Sequence, residues 1–194
     1  YCDFFHVGKS KEFLRNFHTI THASFLYDFC NFVNSNIKDH PELRNGYVYN
    51  TIIDTDAIAA TSPFFIECCY IGGKIELGGE NILTGIPPNS GDIILPKGIC
   101  MTVIPVLGKK DSYGWVAIIY GIDDSFKYAV DEDECSFLNT NLSDWLSKYE
   151  ISPSNLWGEN EKQELWNARL FPASKEPATS IEIALNLQKG IKLE

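Results

Sequence analysis

The 194-residue chain is poor in histidine, in positive charge and in long apolar runs, and each shortage removes a class of function. Its four histidines, His6, His18, His22 and His40, all precede residue 41, so no later segment can offer an imidazole as general base or metal ligand. Lysine and arginine total 16 against 26 acidic residues, giving a net charge of −10. That balance argues against a nucleic-acid groove and against an anionic membrane surface. No apolar run approaches the roughly 20 residues of a membrane-spanning helix, and no signal-peptide core opens the chain. None of the six cysteines, at 2, 30, 68, 69, 100 and 135, forms a Cys-x-x-Cys. The adjacent Cys68 and Cys69 cannot close a relaxed disulfide, so reduced thiols in a cytoplasmic protein are expected. Gly8-Lys9-Ser10 has the end of a phosphate-binding loop without its upstream glycine. The chain begins at Tyr1 rather than Met, which reads as a fragment.

What is present is a period of six. Ile53, Ala59, Phe65, Ile71, Leu77 and Leu83 are six apart, and two of the hexads read Ile-Gly-Gly-Lys-Ile-Glu and Leu-Gly-Gly-Glu-Asn-Ile. Six suits neither a helix nor a simple alternating strand. It suits a parallel β-helix, in which three hexads make one triangular coil and small residues let the chain turn its corners. Residues 18 apart then stack: Ile53 on Ile71, Ala59 on Leu77, Phe65 on Leu83. The register breaks at Ile86-Pro87-Pro88-Asn89-Ser90-Gly91 and resumes with Ile94, Cys100 and Val106.

This divides the chain into a cap or linker over 1–45, coils over 46–107, and a strand with helices packing on them over 108–194. In the first part, Ser10 reads as an N-cap ahead of a helix with Phe13, Leu14 and Phe17 on one face. The aromatic run from Phe25 to Phe32 reads as buried, in strand or helix. After the coils, residues 114–122 form a strand buried on both faces, ending in a turn at Asp123-Asp124-Ser125. A short helix is expected around Leu142 to Tyr149, Trp157 folds over the core, and a last helix runs from Ser180 to Gln188 with Gly190 as its stop.

Few residues carry chemistry. Asp123 and Asp124 follow a buried strand, where α/β enzymes hold ions and ligands; the competing reading is a turn whose Asp side chains cap their own backbone. Arg169 can clamp a phosphate or carboxylate bidentately, or form a salt bridge with an acidic neighbour. His6 reads as a core histidine. His18 and His22 share a helical face but lack a third ligand, so no metal is assigned.

Three segments together resemble the C-terminal half of GDP-fucose pyrophosphorylase, a region also found in bifunctional fucokinase/fucose-1-phosphate guanylyltransferases. They are Phe4 to Glu12, Tyr120 to Lys127, and Leu165-Trp166-Asn167-Ala168-Arg169-Leu170-Phe171-Pro172. The resemblance implies a mainly β, left-handed parallel β-helix with flanking α/β caps. It implies a parent enzyme of cytoplasmic L-fucose salvage, a nucleotidyltransferase that joins GTP to L-fucose 1-phosphate with magnesium. The Gly-rich triphosphate loop of that family is absent here. The resemblance therefore points to a non-catalytic or site-completing domain with no cofactor of its own, whose partner is a missing N-terminal nucleotidyltransferase domain. Possible ligands are GDP-L-fucose and L-fucose 1-phosphate, with Asp123, Asp124 and Arg169 as the candidate substrate-binding residues. The alternatives are a pure assembly module, a homo-oligomer joined through an apolar strip of Phe64, Phe65, Ile66 and Tyr70, or a free-standing enzyme of unknown chemistry on the same scaffold.

Overall fold

A computed structural model describes residues 8–22, 36–37, 40–43, 46–108 and 113–190 of the chain. It is a parallel β-helix whose chain visits three sheets in rotation. One sheet holds β1 (Asn36–Ile37), β3 (Ile52–Ile53) and β6 (Tyr70–Ile71); another holds β4 (Ile58–Ala60), β7 (Ile75–Leu77) and β9 (Ile93–Leu95). The third, and largest, holds β2 (Tyr47–Tyr49), β5 (Phe64–Glu67), β8 (Asn81–Thr84) and β10 (Ile99–Leu107), closed by the antiparallel β11 (Tyr113–Gly121). Inward residues, among them Ile53, Ile71, Ile75, Leu77, Leu83 and Ile93, form a continuous buried column.

The stacking follows the hexads only in part. Ile53 pairs with Ile71 as expected. Leu77, however, lies on Ala60 rather than Ala59, and Leu83 on Ile66 rather than Phe65. The cause is one residue: the corner between β3 and β4 spans residues 54–57, whereas the next coil turns it in 72–74. Because strand side chains alternate, a slip of one reverses the face. The resumed register is likewise the outward one, since Ile94 is 44% exposed while Ile93, Leu95, Ile99 and Met101 point inward. The Ile86 to Gly91 break keeps its core position. Ile86 is buried and accepts the Tyr70 N–H, while Pro87 and Pro88, with no N–H to offer, leave this third of the coil without a strand.

The expected apolar outer strip does not form. Phe64 and Ile66 fill the coil, Phe65 lies under a helix, and the half-buried Tyr70 donates its hydroxyl to Asp54 Oδ2.

That helix, α1 (Ser10–His22), lies on the outer face of the largest sheet. Leu14 is buried there with Tyr47, Phe65, Ile82, Cys100 and Ile122, and the Phe13 ring meets Phe65 edge-on at 5.0 Å. The sheet thus separates two hydrophobic clusters, one inside the coils and one beneath α1. Ser10 is the first helical residue rather than the cap. The Glu12 carboxylate caps instead, accepting the N–H groups of Gly8 at 2.9 Å and Lys9 at 3.3 Å. The Phe17, His18 and His22 side chains, together with Cys2, His6 and the Phe25–Phe32 run, lie outside the described residues and side chains.

The rest of the chain closes the coils. β11 is buried on its inner face at Ala117 and Ile119 but only half-buried at Ile118 and Tyr120, so one face is less covered than the sequence implies. A hairpin of β12 (Ser136–Phe137) and β13 (Thr140–Asn141) leads into α2 (Leu142–Lys148), which Asn141 caps. After α3 (Pro153–Leu156) comes a 3₁₀ turn at Leu165–Asn167. Trp157 is buried, and its indole N–H donates to the Glu164 carbonyl. The last helix, α4 (Pro177–Lys189), packs on β11, where Ser180 Oγ accepts the Ala117 N–H at 2.7 Å. Gly190 ends it in the left-handed region, as its position predicts. Among the described residues no helix is long and apolar enough to cross a membrane.

Candidate functional site

Alternation along the largest sheet aims two rows of side chains outward. Phe65, Ile82, Cys100 and Tyr120 form the row beneath α1, and Glu67, Thr84, Thr102 and Ile118 form the row beside it. Two hollows open along this second row. One, of about 310 Å³, is bounded by Glu67 and Thr84 on the sheet and by Gly8, Lys9 and Ser10 at the start of α1. The other, of about 370 Å³, is bounded by Thr102, Ile118 and Tyr120 on the sheet and by Phe126, Trp166 and Phe171 from beyond it. They abut where Thr84 Oγ1 donates to Thr102 Oγ1 at 2.9 Å. The Thr102 and Ser10 hydroxyls lie close enough to the Tyr120 phenol to favour its ionised form. Burial pushes the Tyr120 phenol well above its ordinary value, which keeps it neutral.

The groove is polar at one end and apolar at the other. The half-buried Glu67 carboxylate has no hydrogen-bond or ion partner among the described residues. At the other end Trp166 is 71% exposed on its 3₁₀ turn. Backbone and side-chain bonds fasten the walls together. The Trp166 N–H donates to the Phe126 carbonyl at 3.1 Å, and Lys11 Nζ meets Asp123 Oδ2 at 2.6 Å. The three segments singled out in the sequence therefore converge: Gly8 to Lys11 from the first, Tyr120 to Phe126 from the second, Leu165 to Phe171 from the third.

The individual candidates have structural duties. Asp124, 9% exposed, accepts N–H bonds from Gly121 at 2.6 Å, Leu138 at 2.8 Å and Asn139 at 2.8 Å. It ties the turn after β11 to the β12–β13 hairpin, the turn-capping arrangement. Burial raises its carboxyl above the ordinary 3.8, against the pull of those donors. Asp123 is half-exposed in its pair with Lys11, and that hydrogen bond raises the lysine. Arg169 stands apart, on a separate hollow of about 430 Å³ walled by Trp145, Tyr149, Leu170 and Leu187, and Glu161 Oε1 accepts from it at 2.6 Å. No group of three His, Cys, Asp or Glu side chains among the described residues is placed to hold a metal ion.

Glu67, Thr84, Thr102 and Tyr120 were not candidates from sequence. A signal existed: Glu67 and Thr84 end apolar strands and Thr102 interrupts the next one, spaced by 17 and 18, one coil each.

A family model for the fucose pyrophosphorylase domain matches residues 1–176 of the chain. The chain belongs to the fucose pyrophosphorylase family. It is similar to the L-fucokinase/L-fucose-1-P guanylyltransferase of Bacteroides fragilis, 29% identical over 170 residues. That alignment covers 88% of this chain but only 17% of the relative, so the chain spans a small part of the protein it matches. No solved structure is a significant match. All three walls of the groove lie within the residues that match the fucose pyrophosphorylase family.

Proposed function

We propose that this chain is the β-helical part of a cytoplasmic fucose-1-phosphate guanylyltransferase of fucose salvage, and that its groove completes a sugar-nucleotide site. The reaction would join GTP to L-fucose 1-phosphate, releasing pyrophosphate and GDP-L-fucose. Its chemistry, in-line attack of the sugar phosphate on the α-phosphorus, needs magnesium and concentrated positive charge. The groove offers Lys9 and a carboxylate, and the chain as a whole is acidic. The proposal therefore assigns the phosphate chemistry and the magnesium to a nucleotidyltransferase domain outside this chain, and ligand contact to the groove. The observation that carries it is the convergence of three sequence-distant segments on one surface. Core packing alone gives no reason for an exposed Trp166 to face a hydroxyl-lined floor.

The test is isothermal titration with GDP-L-fucose, with and without magnesium, on the wild type, Trp166→Ala and Arg169→Ala. Saturable binding lost in Trp166→Ala and kept in Arg169→Ala is expected. The reverse pattern would move the site to the hollow beside α4. No heat at millimolar ligand would favour the assembly module.

A further inference from the structure

The segment that brings Trp166 to the groove also carries Arg169 to the separate hollow of about 430 Å³ bordered by α2, α3 and α4. The floor of this hollow is apolar: Trp145, Leu156, Leu170 and Leu187 are all buried, and the Trp145 and Tyr149 rings lie 5.1 Å apart. Its polar groups are few, and Arg169 is braced among them. The Arg169 backbone N–H donates to the Leu156 carbonyl at 3.1 Å, and its Nη2 donates to Glu161 Oε1 at 2.6 Å. Glu161 is fixed in turn, because its Oε2 accepts the Gly158 N–H at 2.7 Å. One nitrogen of the guanidinium fork is thus engaged. Its Nε and Nη1 meet no acceptor among the described residues, and neither the Asn155 amide nor the Tyr149 hydroxyl has a hydrogen-bond partner there.

We infer that this hollow is a second binding site, for a small amphipathic carboxylate whose apolar body lies against Trp145 and Tyr149 and whose head group takes the free N–H groups of Arg169. The class follows from the lining. A planar guanidinium meets a carboxylate with two parallel hydrogen bonds, and a fork already held in place loses little freedom on binding. An apolar floor with a few polar groups, at about 430 Å³, falls within the roughly 300–1,000 Å³ usual for small-ligand sites. Charge disfavours a phosphate head: Glu161 already neutralises Arg169 and Glu150 adds another carboxylate, so nothing balances a second negative charge. The groove shares none of these lining residues, so the inference stands independently of the function proposed above.

The experiment titrates the isotope-labelled full chain with phenylpropionate, phenylpropionamide and inorganic phosphate, following the indole N–H resonances of Trp145 and Trp166. Wild type, Arg169→Lys and Arg169→Ala are compared after their thermal midpoints show them folded. The carboxylate should shift Trp145 saturably, leave Trp166 in place and bind about tenfold more tightly than its amide. Arg169→Ala should erase that preference, and Arg169→Lys, a charge without the fork, should keep only part of it. Phosphate should neither bind nor compete. Equal affinity for acid and amide, a preference that survives Arg169→Ala, or shifts confined to Trp166 would overturn the inference. So would the lack of a saturable shift at millimolar carboxylate, or displacement of the carboxylate by phosphate. None of these outcomes bears on the GDP-L-fucose titration that tests the groove.

Discussion

Asp124 shows how a carboxylate at a strand end can serve the fold. Its two oxygens gather three backbone donors from the turn after β11 and from the β12–β13 hairpin. Asp124→Ala orphans all three and should cost about 3 kcal/mol of unfolding free energy. Asp124→Asn keeps one carbonyl oxygen for the Gly121 and Leu138 donors and should cost less. The two also differ from wild type in their response to pH. Burial raises the folded-state carboxyl above its ordinary 3.8. The favourable contribution of such a group is complete below 3.8 and is lost as pH rises through the higher folded value. Relative to Asp124→Asn, wild type should therefore lose stability as pH climbs from below 3.8 toward neutrality. Paired urea titrations across that range check the sign; a wild-type advantage that grows with pH would refute it.

At the scale of an element, the hexad corners depend on glycine for two different reasons. A Cβ on Gly73 would sit 2.3 Å from the Gly91 carbonyl oxygen, and one on Gly78 would sit 2.5 Å from the Lys97 nitrogen. Both neighbours are backbone of the next coil, so neither can move aside without parting the stack. Gly91 itself is left-handed at φ 75° but faces open space. Gly73→Ala should thus lower stability by about 3 kcal/mol through steric conflict, and Gly91→Ala by about 1 kcal/mol through backbone strain alone. Urea midpoints of the two variants measure the gap, and equal losses would mean that coil stacking is not what fixes Gly73. The same corners explain what the sequence could and could not disclose. The coils were legible because glycine recurs after inward apolar residues at Ile71 and Leu77. Their register was not fully legible, because one residue more between β3 and β4 turns Phe65 outward, and hydrophobicity cannot mark that when α1 covers the outward face too. Phe65 is apolar for a second core, and a period-of-six reading counts it in the first.

For the whole molecule, the decisive feature is that one sheet serves two cores, and the groove belongs to the weaker. Its floor is set by β5, β8, β10 and β11, which the coil interior holds rigid. The wall of Gly8, Lys9 and Ser10 is carried by α1, whose described anchors are Leu14, Phe13 and the Lys11–Asp123 pair. The groove was invisible in the sequence for this reason: the wall at the start of α1 lies more than a hundred residues before the other two, and only the folded sheet brings them together. Leu14→Ala should remove a buried side chain at about 3 kcal/mol, and the loss should be confined to α1 because no residue of the coil column lies in that cluster. Hydrogen exchange should then show the α1 amides losing protection while those of β5, β7 and β8 keep theirs. GDP-L-fucose affinity should fall in step, since half the polar end of the groove departs with the helix. Loss of protection throughout the coils would instead mean that α1 and the β-helix fold as one cooperative unit. Loosening of α1 with unchanged affinity would place the ligand somewhere other than this groove.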